Sequence, residues 1–268
     1  MPAATPLIFD TPKVIGVYDA DVDPEGNIPS ELLQTGIDVV IPLWPEPSTE
    51  PGERDILTVY FERAGQVLAP IVNTYYPQDL QPEFIVHLGP EYLRWDGVAE
   101  LWYELLNSAD NHSYSFRRNL TIDHAPIKND LVEAHFPHAT INGYLNCSTV
   151  PPLWSGVTVE IAPLGSEYAI GDRIEVEWEG FDSLNGSGAP IANTYKKITK
   201  TIQTDTELRE SFAVVVLPYE AHIKPMIIKS SAIVKYSVYR GGRLKGRAPA
   251  GLVRIDRIIP GTDLPCGP

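Results

Sequence analysis

Arg173-Ile-Glu-Val-Glu-Trp-Glu179 is the stretch whose reading decides the fold. Ile174, Val176 and Trp178 alternate with three glutamates. A period of two places the apolar side chains on one face of an extended strand and the carboxylates on the other. Ala99, Leu101, Tyr103 and Leu105 alternate with Glu100, Trp102 and Glu104 in the same way. Strands buried on one face and wet on the other belong to antiparallel sheets. No amphipathic segment has the length that a crossover helix needs, which excludes parallel α/β folds.

Working outward, the chain repeats itself. Gly36-Ile-Asp-Val-Val-Ile41 matches Gly156-Val-Thr-Val-Glu-Ile161, and Gly52-Glu-Arg54 matches Gly171-Asp-Arg173. Ala69-Pro-Ile-Val-Asn-Thr-Tyr75 returns as Ala189-Pro-Ile-Ala-Asn-Thr-Tyr195 and is expected on the same strand of each copy. Ala99, Leu101, Tyr103 and Leu105 fall on Ala232, Val234, Tyr236 and Val238, and Leu120-Thr-Ile-Asp123 falls on Val253-Arg-Ile-Asp256. Ordered matches with small shifts are what loop insertions between duplicated strands produce. The strands read as 37–42, 55–62, 70–77, 83–88, 97–106 and 114–122 in the first copy. In the second they read as 156–162, 172–179, 190–203, 211–217, 231–240 and 246–257. Six or seven short strands per copy describe an all-β chain of two tandem immunoglobulin-like antiparallel β-sandwich domains. The expected division is a first domain over 1–124, a linker over 125–140 and a second domain over 141–268.

The Gly-Asp-Arg-x-x-Val-x-Trp strand at 171–178, the Tyr-x-Val strand at 236–238 and the closing Val-Arg-Ile-Asp at 253–256 resemble the immunoglobulin-like tandem repeats of large bacterial surface and secreted proteins. Such domains often carry a tyrosine on the penultimate strand whose hydroxyl bonds to backbone, the position of Tyr103 and Tyr236. The resemblance implies a non-enzymatic interaction or spacer role, adhesin-like, at the cell surface or in the secretome. The alternatives are a component of a secreted toxin or effector that binds a host receptor, and a hydrolase on a sandwich scaffold.

Composition bounds the partners. Of 268 residues, 43% are hydrophobic, enough for a core in each half. The net charge of −14 is uneven. Residues 1–124 hold 6 basic against 20 acidic side chains, and residues 141–268 hold 14 against 13. An acidic first half disfavours nucleic acid and anionic membrane. No apolar run approaches the ~20 residues of a membrane span. Met1-Pro-Ala-Ala-Thr-Pro6 lacks the basic and apolar regions of a cleavable signal, so none is expected there. Cys147 and Cys266 lie outside the expected strands and are either bridged or two thiols. A bridge would close a loop of about 120 residues and contribute up to ~4–5 kcal/mol.

Searched for chemistry, the sequence offers little. His135-Phe-Pro-His138 has a proline that breaks helical ligand spacing, and the pair reads as exposed linker histidines, with no metal site expected. Asp19, Asp21, Asp23 and Glu25 alternate like a calcium loop, but Pro24 and Ser30 stand where that loop needs glycine and glutamate. No nucleophile elbow, phosphate loop or dinucleotide fingerprint occurs, and no catalytic residue or cofactor is expected. The candidate binding residues are Arg240, Arg243, Lys245 and Arg247, four cations on a hairpin whose Gly241-Gly242 turn suits positive φ angles. They read as a solvated tip, as a tip that contacts the acidic first domain, or as a loop facing an anionic protein, glycan or lipid headgroup.

Overall fold

A computed structural model describes residues 8–268. The chain forms two compact units: one ends at Ala125 and includes Gly241–Arg243, and the other comprises Pro126–Arg240 and Leu244–Pro268.

The first unit holds β1 (Ile8–Phe9), β2 (Lys13–Val14), β3 (Ile37–Pro42), β4 (Asp55–Arg63), β5 (Gln66–Val67), β6 (Ile71–Tyr75), β7 (Glu83–Leu88), β8 (Gly97–Leu106), β9 (His112–Ser115) and β10 (Arg118–Ile122). One sheet runs β1-β9-β8-β4-β5, with β10 on β8 and β6 on β4; the other runs β2-β3-β7. Val39, Ile41, Phe84 and Val86 from the second sheet share one buried cluster with Leu57, Val59, Phe61, Leu101 and Tyr103 from the first. Two sheets closing on one core are a sandwich.

The second unit holds β11 (Tyr144–Asn146), β12 (Val157–Ile161), β13 (Arg173–Phe181), β14 (Lys196–Thr201), β15 (Phe212–Val216), β16 (Ser230–Arg240), β17 (Arg243–Arg247, all but its first residue) and β18 (Gly251–Asp256). Its sheets are β11-β18-β16-β13-β14, with β17 on β16, and β12-β15. Ile174, Val176 and Trp178 are all fully buried, opposite Val238, Tyr236 and Val234 of β16. The indole N–H of Trp178 donates to the His222 carbonyl at 3.1 Å. The Tyr236 hydroxyl donates to the Val132 carbonyl. The chain is all-β, two tandem immunoglobulin-like antiparallel sandwiches.

Three expectations need correction. Residues 125–140 do not form a linker: Leu131, Ala134 and Phe136 are buried in the second core. They repeat the entry of the first unit. Val14 and Lys13 pair antiparallel with β3, and His135 pairs antiparallel with Glu160 of β12. β1 runs parallel to β9, and Lys128 bridges parallel to Gly246. Asn27 bridges parallel to Thr121, and β11 runs parallel to β18. The sequence hid these strands because each is two or three residues long.

The matched heptapeptides do not occupy the same element. Val59 faces Ile71 across β4 and β6, whereas Val176 faces Ile198 across β13 and β14. Ile71 therefore corresponds to Ile198, and Ala189–Tyr195 sits in the connection before β14. That connection is pinned where the Thr194 hydroxyl accepts from the Gly180 N–H at 3.0 Å and donates to the Ile191 carbonyl at 2.7 Å. The repeat rests instead on the strand pairings, in which Phe61–Leu101 and Trp178–Val234 occupy matching positions. The stretches 114–122 and 246–257 are each two strands. In the first unit, both parts pair with β8, at its two ends.

Candidate functional site

The four hairpin cations do not form one exposed cluster. Arg240 lies at the end of β16, opposite the start of β13, and is held by Asp172. Its Nε is 2.8 Å from one Asp172 oxygen and its Nη2 3.0 Å from the other, while the Asp172 side chain is 1% exposed. The Gly241 turn does take a positive φ of 54°. Arg243 is 2% exposed and belongs to the first unit. There its Nη2 donates to the Ala125 carbonyl at 2.6 Å, and its Nε is 3.4 Å from Asp123. Burial pulls this guanidinium below its ordinary range, against the pull of Asp123 and Asp96. Lys245 is half-buried and Arg247 exposed. Arg247 lines an open depression of about 390 Å³ with Glu177, Lys235, Ser237 and Tyr239. Two cations, Arg240 and Arg243, are thus bound into the fold, so the four do not form one solvated tip. The sequence concealed this because their partners, Asp172 and Asp123, are distant in the chain.

The richest collection of rings and ionisable groups lies elsewhere, on the outer face of β4, β8 and β9. Tyr60 and Trp102 are directly opposed, and their rings stack at 5.3 Å between centroids with 14° between planes. The Arg117 guanidinium lies 3.9 Å from the Trp102 ring centroid. It also pairs with Glu62 at 2.9 Å and with Glu100. The Tyr60 hydroxyl donates to Glu104 at 2.7 Å, and His112 pairs with the other Glu104 oxygen. Burial, followed by the bond to Glu104, pushes the Tyr60 hydroxyl up to about 12. Burial alone would raise Glu104, but bonds from Tyr60, His112 and Tyr114 together hold it below the usual carboxylate range. The period-2 reading of 97–106 already turns Trp102 outward. What it lacks is the register that places Tyr60 beside it.

The matching face of the second unit is a lattice of charges. Glu175 takes Lys197 at 2.6 Å and Arg173 at 3.3 Å, and the Tyr195 hydroxyl donates to Glu177 at 3.3 Å. Glu175 is taken by Lys197 of β14 and Arg173 of its own strand, and Glu177 by Tyr195 just before β14. Pairs of this kind rivet a sheet face.

Asp55 and Asp172 occupy matching positions at the head of β4 and β13, and both are 1% exposed. Asp55 accepts the Trp44 indole N–H at 2.8 Å, the Ser48 N–H at 3.0 Å and the Ser48 hydroxyl at 2.6 Å. Asp172 accepts the Ala169 N–H at 2.8 Å besides Arg240. Both are structural anchors.

The acidic run of the first unit is directed at protein groups, and Asp19, Asp21 and Asp23 all act on the Arg118 guanidinium. Asp23 turns back to accept the Asn27 N–H at 2.8 Å and its side-chain amide at 3.0 Å, while Asp19 pairs with Lys13 at 3.8 Å. Among the described residues, no group of three or more His, Cys, Asp and Glu is placed to hold a metal ion. His135 makes an isolated β-bridge to Glu160 with its Nδ1 3.1 Å from that carboxylate, and its side chain is exposed.

Cys147 and Cys266 are joined in a disulfide with Cα atoms 5.7 Å apart, which decides between the two readings left open by the sequence. It ties the C-terminal tail to the residue after β11. Beneath the tail, Arg257 is 3% exposed and donates to the carbonyls of Met226 at 3.0 Å, Cys266 at 2.7 Å and Lys224 at 2.5 Å, and to the Tyr219 hydroxyl.

No family model matches the chain, and no curated protein matches it. Solved structures do. One, described as showing how a 1.5-MDa bacterial ice-binding adhesin is retained at the host cell surface, is 17% identical; the match covers 94% of this chain and 66% of that one, with a TM-score of 0.33. The first three fibronectin domains of chicken CNTN1 are 8% identical over 82% of this chain and 62% of that one, with a TM-score of 0.42. A red sea bream transglutaminase is 13% identical over 84% of this chain and 30% of that one, with a TM-score of 0.27. The chain therefore spans less than two thirds of the length of each. At these identities and TM-scores the likenesses add nothing to the sandwich architecture that the sheets themselves display.

Proposed function

We propose that this chain is a non-enzymatic interaction or spacer protein, adhesin-like, that works at a cell surface or in the secretome. The observation that carries this reading is the Cys147–Cys266 disulfide on a pair of sandwich units. Disulfides persist in oxidising compartments and are rare where glutathione keeps thiols reduced. The buried Arg257 clamp under the same tail makes the bonded form part of the fold. The paired sheet faces support the non-enzymatic part of the proposal, because their carboxylates are committed to neighbouring strands.

The test uses the native protein in its own cells. Intact cells are alkylated, lysed and reduced, and the thiols released are then labelled with a maleimide that adds mass. The proposal expects both cysteines to be labelled only after reduction and the chain to be digested by a protease added outside the cells or found in the medium. Free thiols together with complete protection from external protease would overturn it. A screen of the whole chain against glycans, anionic vesicles and host-cell extracts then separates an interaction role from a pure spacer.

A further inference from the structure

We infer that β7 of the first unit is a self-pairing edge, through which two copies of this chain join their three-stranded sheets antiparallel about Ile85. β7 closes the sheet β2-β3-β7 and has β3 on one side only. The Leu43 N–H donates to the Pro82 carbonyl at 2.9 Å, which fixes the phase of the ladder. Phe84, Val86 and Leu88 therefore turn their N–H and C=O groups to β3, and Glu83, Ile85 and His87 turn theirs outward. Among the described residues, none of those three makes a backbone hydrogen bond beyond the strand ladder. A row of unpaired donors and acceptors at a sheet edge is a template for another strand.

The side chains select which strand. Glu83, Ile85 and His87 are all exposed, Ile85 by 63%. An antiparallel pair of β7 strands with its two-fold axis at Ile85 sets Ile85 against Ile85 and each Glu83 against the other copy's His87. All three outward residues then fall in hydrogen-bonded pairs, and a carboxylate meets an imidazole at both ends. Shifting the axis to Phe84 or Val86 keeps fewer backbone pairs and sets a charge or an imidazole against Ile85. The sequence is thus self-complementary in one register, as an isologous contact requires. His87 already has its Nδ1 2.7 Å from Asp38, and its ring lies beside Gly36, so the imidazole is held in place at the strand's end. β15, the corresponding edge of the second unit, exposes Ala213 and Val215 and has no charges to set a register.

A five-residue strand pair buries much less than a stable dimer does, so the association is weak, with dissociation at roughly 0.1 mM or above. Sedimentation of the full chain should show a monomer–dimer equilibrium up to about 1 mM. Ile85→Lys sets two cations face to face and should weaken association at least ~10-fold with an unchanged melting temperature. Val215→Lys should leave it unaltered. Glu83→Lys should weaken it, and Glu83→Lys with His87→Glu should restore it, because the charges again attract across the axis. Mild oxidation of Ile85→Cys should give a covalent dimer, and Val72→Cys on the other sheet, 57% exposed, should not. A chain that stays monomeric up to about 1 mM overturns the inference. So does a dimer that survives Ile85→Lys but is lost with Val215→Lys. Failure of the charge exchange to restore association overturns the register and the inference with it.

Discussion

Trp178 shows how little of a residue's role its type discloses and how much its spacing does. It alternates with Glu177 and Glu179, is fully buried, and satisfies its indole N–H on the His222 carbonyl. Trp178→Ala should cost ~3–5 kcal/mol, read by denaturant titration of the second unit's transition. A loss below about 1 kcal/mol would place the ring outside the core. The hairpin cations divide in the same way. Asp172 is buried and Arg240 about a third exposed. Arg240→Ser leaves the carboxylate with one backbone donor and should cost ~1–3 kcal/mol, while Arg247→Ser should change stability by less than ~0.5 kcal/mol. Glu207 adds a pH dependence. Lys200 at 2.5 Å, then the Gln203 and Thr204 N–H groups, draw its carboxyl down to about 2. A folded value below the unfolded one gives stability that is complete above the unfolded value and lost as pH falls toward about 2. Melting of the second unit should therefore fall less steeply with acid in Glu207→Gln than in the parent chain.

At the scale of elements, entry strands decide where a unit begins. Leu131, Ala134 and Phe136 fill the second core, and His135 exchanges backbone hydrogen bonds with Glu160 at 2.9 and 2.8 Å. A fragment over 126–268 should melt cooperatively. A fragment over 141–268 lacks those three apolar side chains and leaves the β12 edge open, so it should bind hydrophobic dye and lose its near-ultraviolet circular dichroism. Equal cooperativity of the two fragments would restore the linker reading. The long strands were legible because alternation survives over five or more residues: 37–42, 83–88 and 97–106 coincide with β3, β7 and β8. The entry strands were not legible, since two residues carry no period. The heptapeptide match misled for a related reason: identical letters say nothing about register, and the turn holding Thr194 displaced the second copy from its strand. The outer-face stack of Tyr60, Trp102 and Arg117 needed three strands in register, which no single stretch of sequence displays.

At the scale of the whole molecule, the two halves share a plan but are finished differently. The first entrusts its edges and faces to aromatic rings and an acidic surface. The second adds a covalent tie between the residue after β11 and the tail. Cys147 and Cys266 are 119 residues apart, so their bond encloses almost the entire second sandwich and, of the first unit, Gly241–Arg243 alone. Closing so long a loop removes conformations mainly from the unfolded chain, worth up to ~4–5 kcal/mol on the entropy account. The effect of reduction must then be local to one unit. With a reductant present, hydrogen exchange should accelerate in β11, β18 and the tail around Arg257, and the second unit should unfold at lower denaturant. Strands β3, β4, β7 and β8 should keep their protection. Cys147→Ser with Cys266→Ser should reproduce the reduced behaviour and make the chain indifferent to reductant. If reduction instead loosens β4 and β8, or leaves β11 and β18 as protected as before, the tie is not what holds the second sandwich closed.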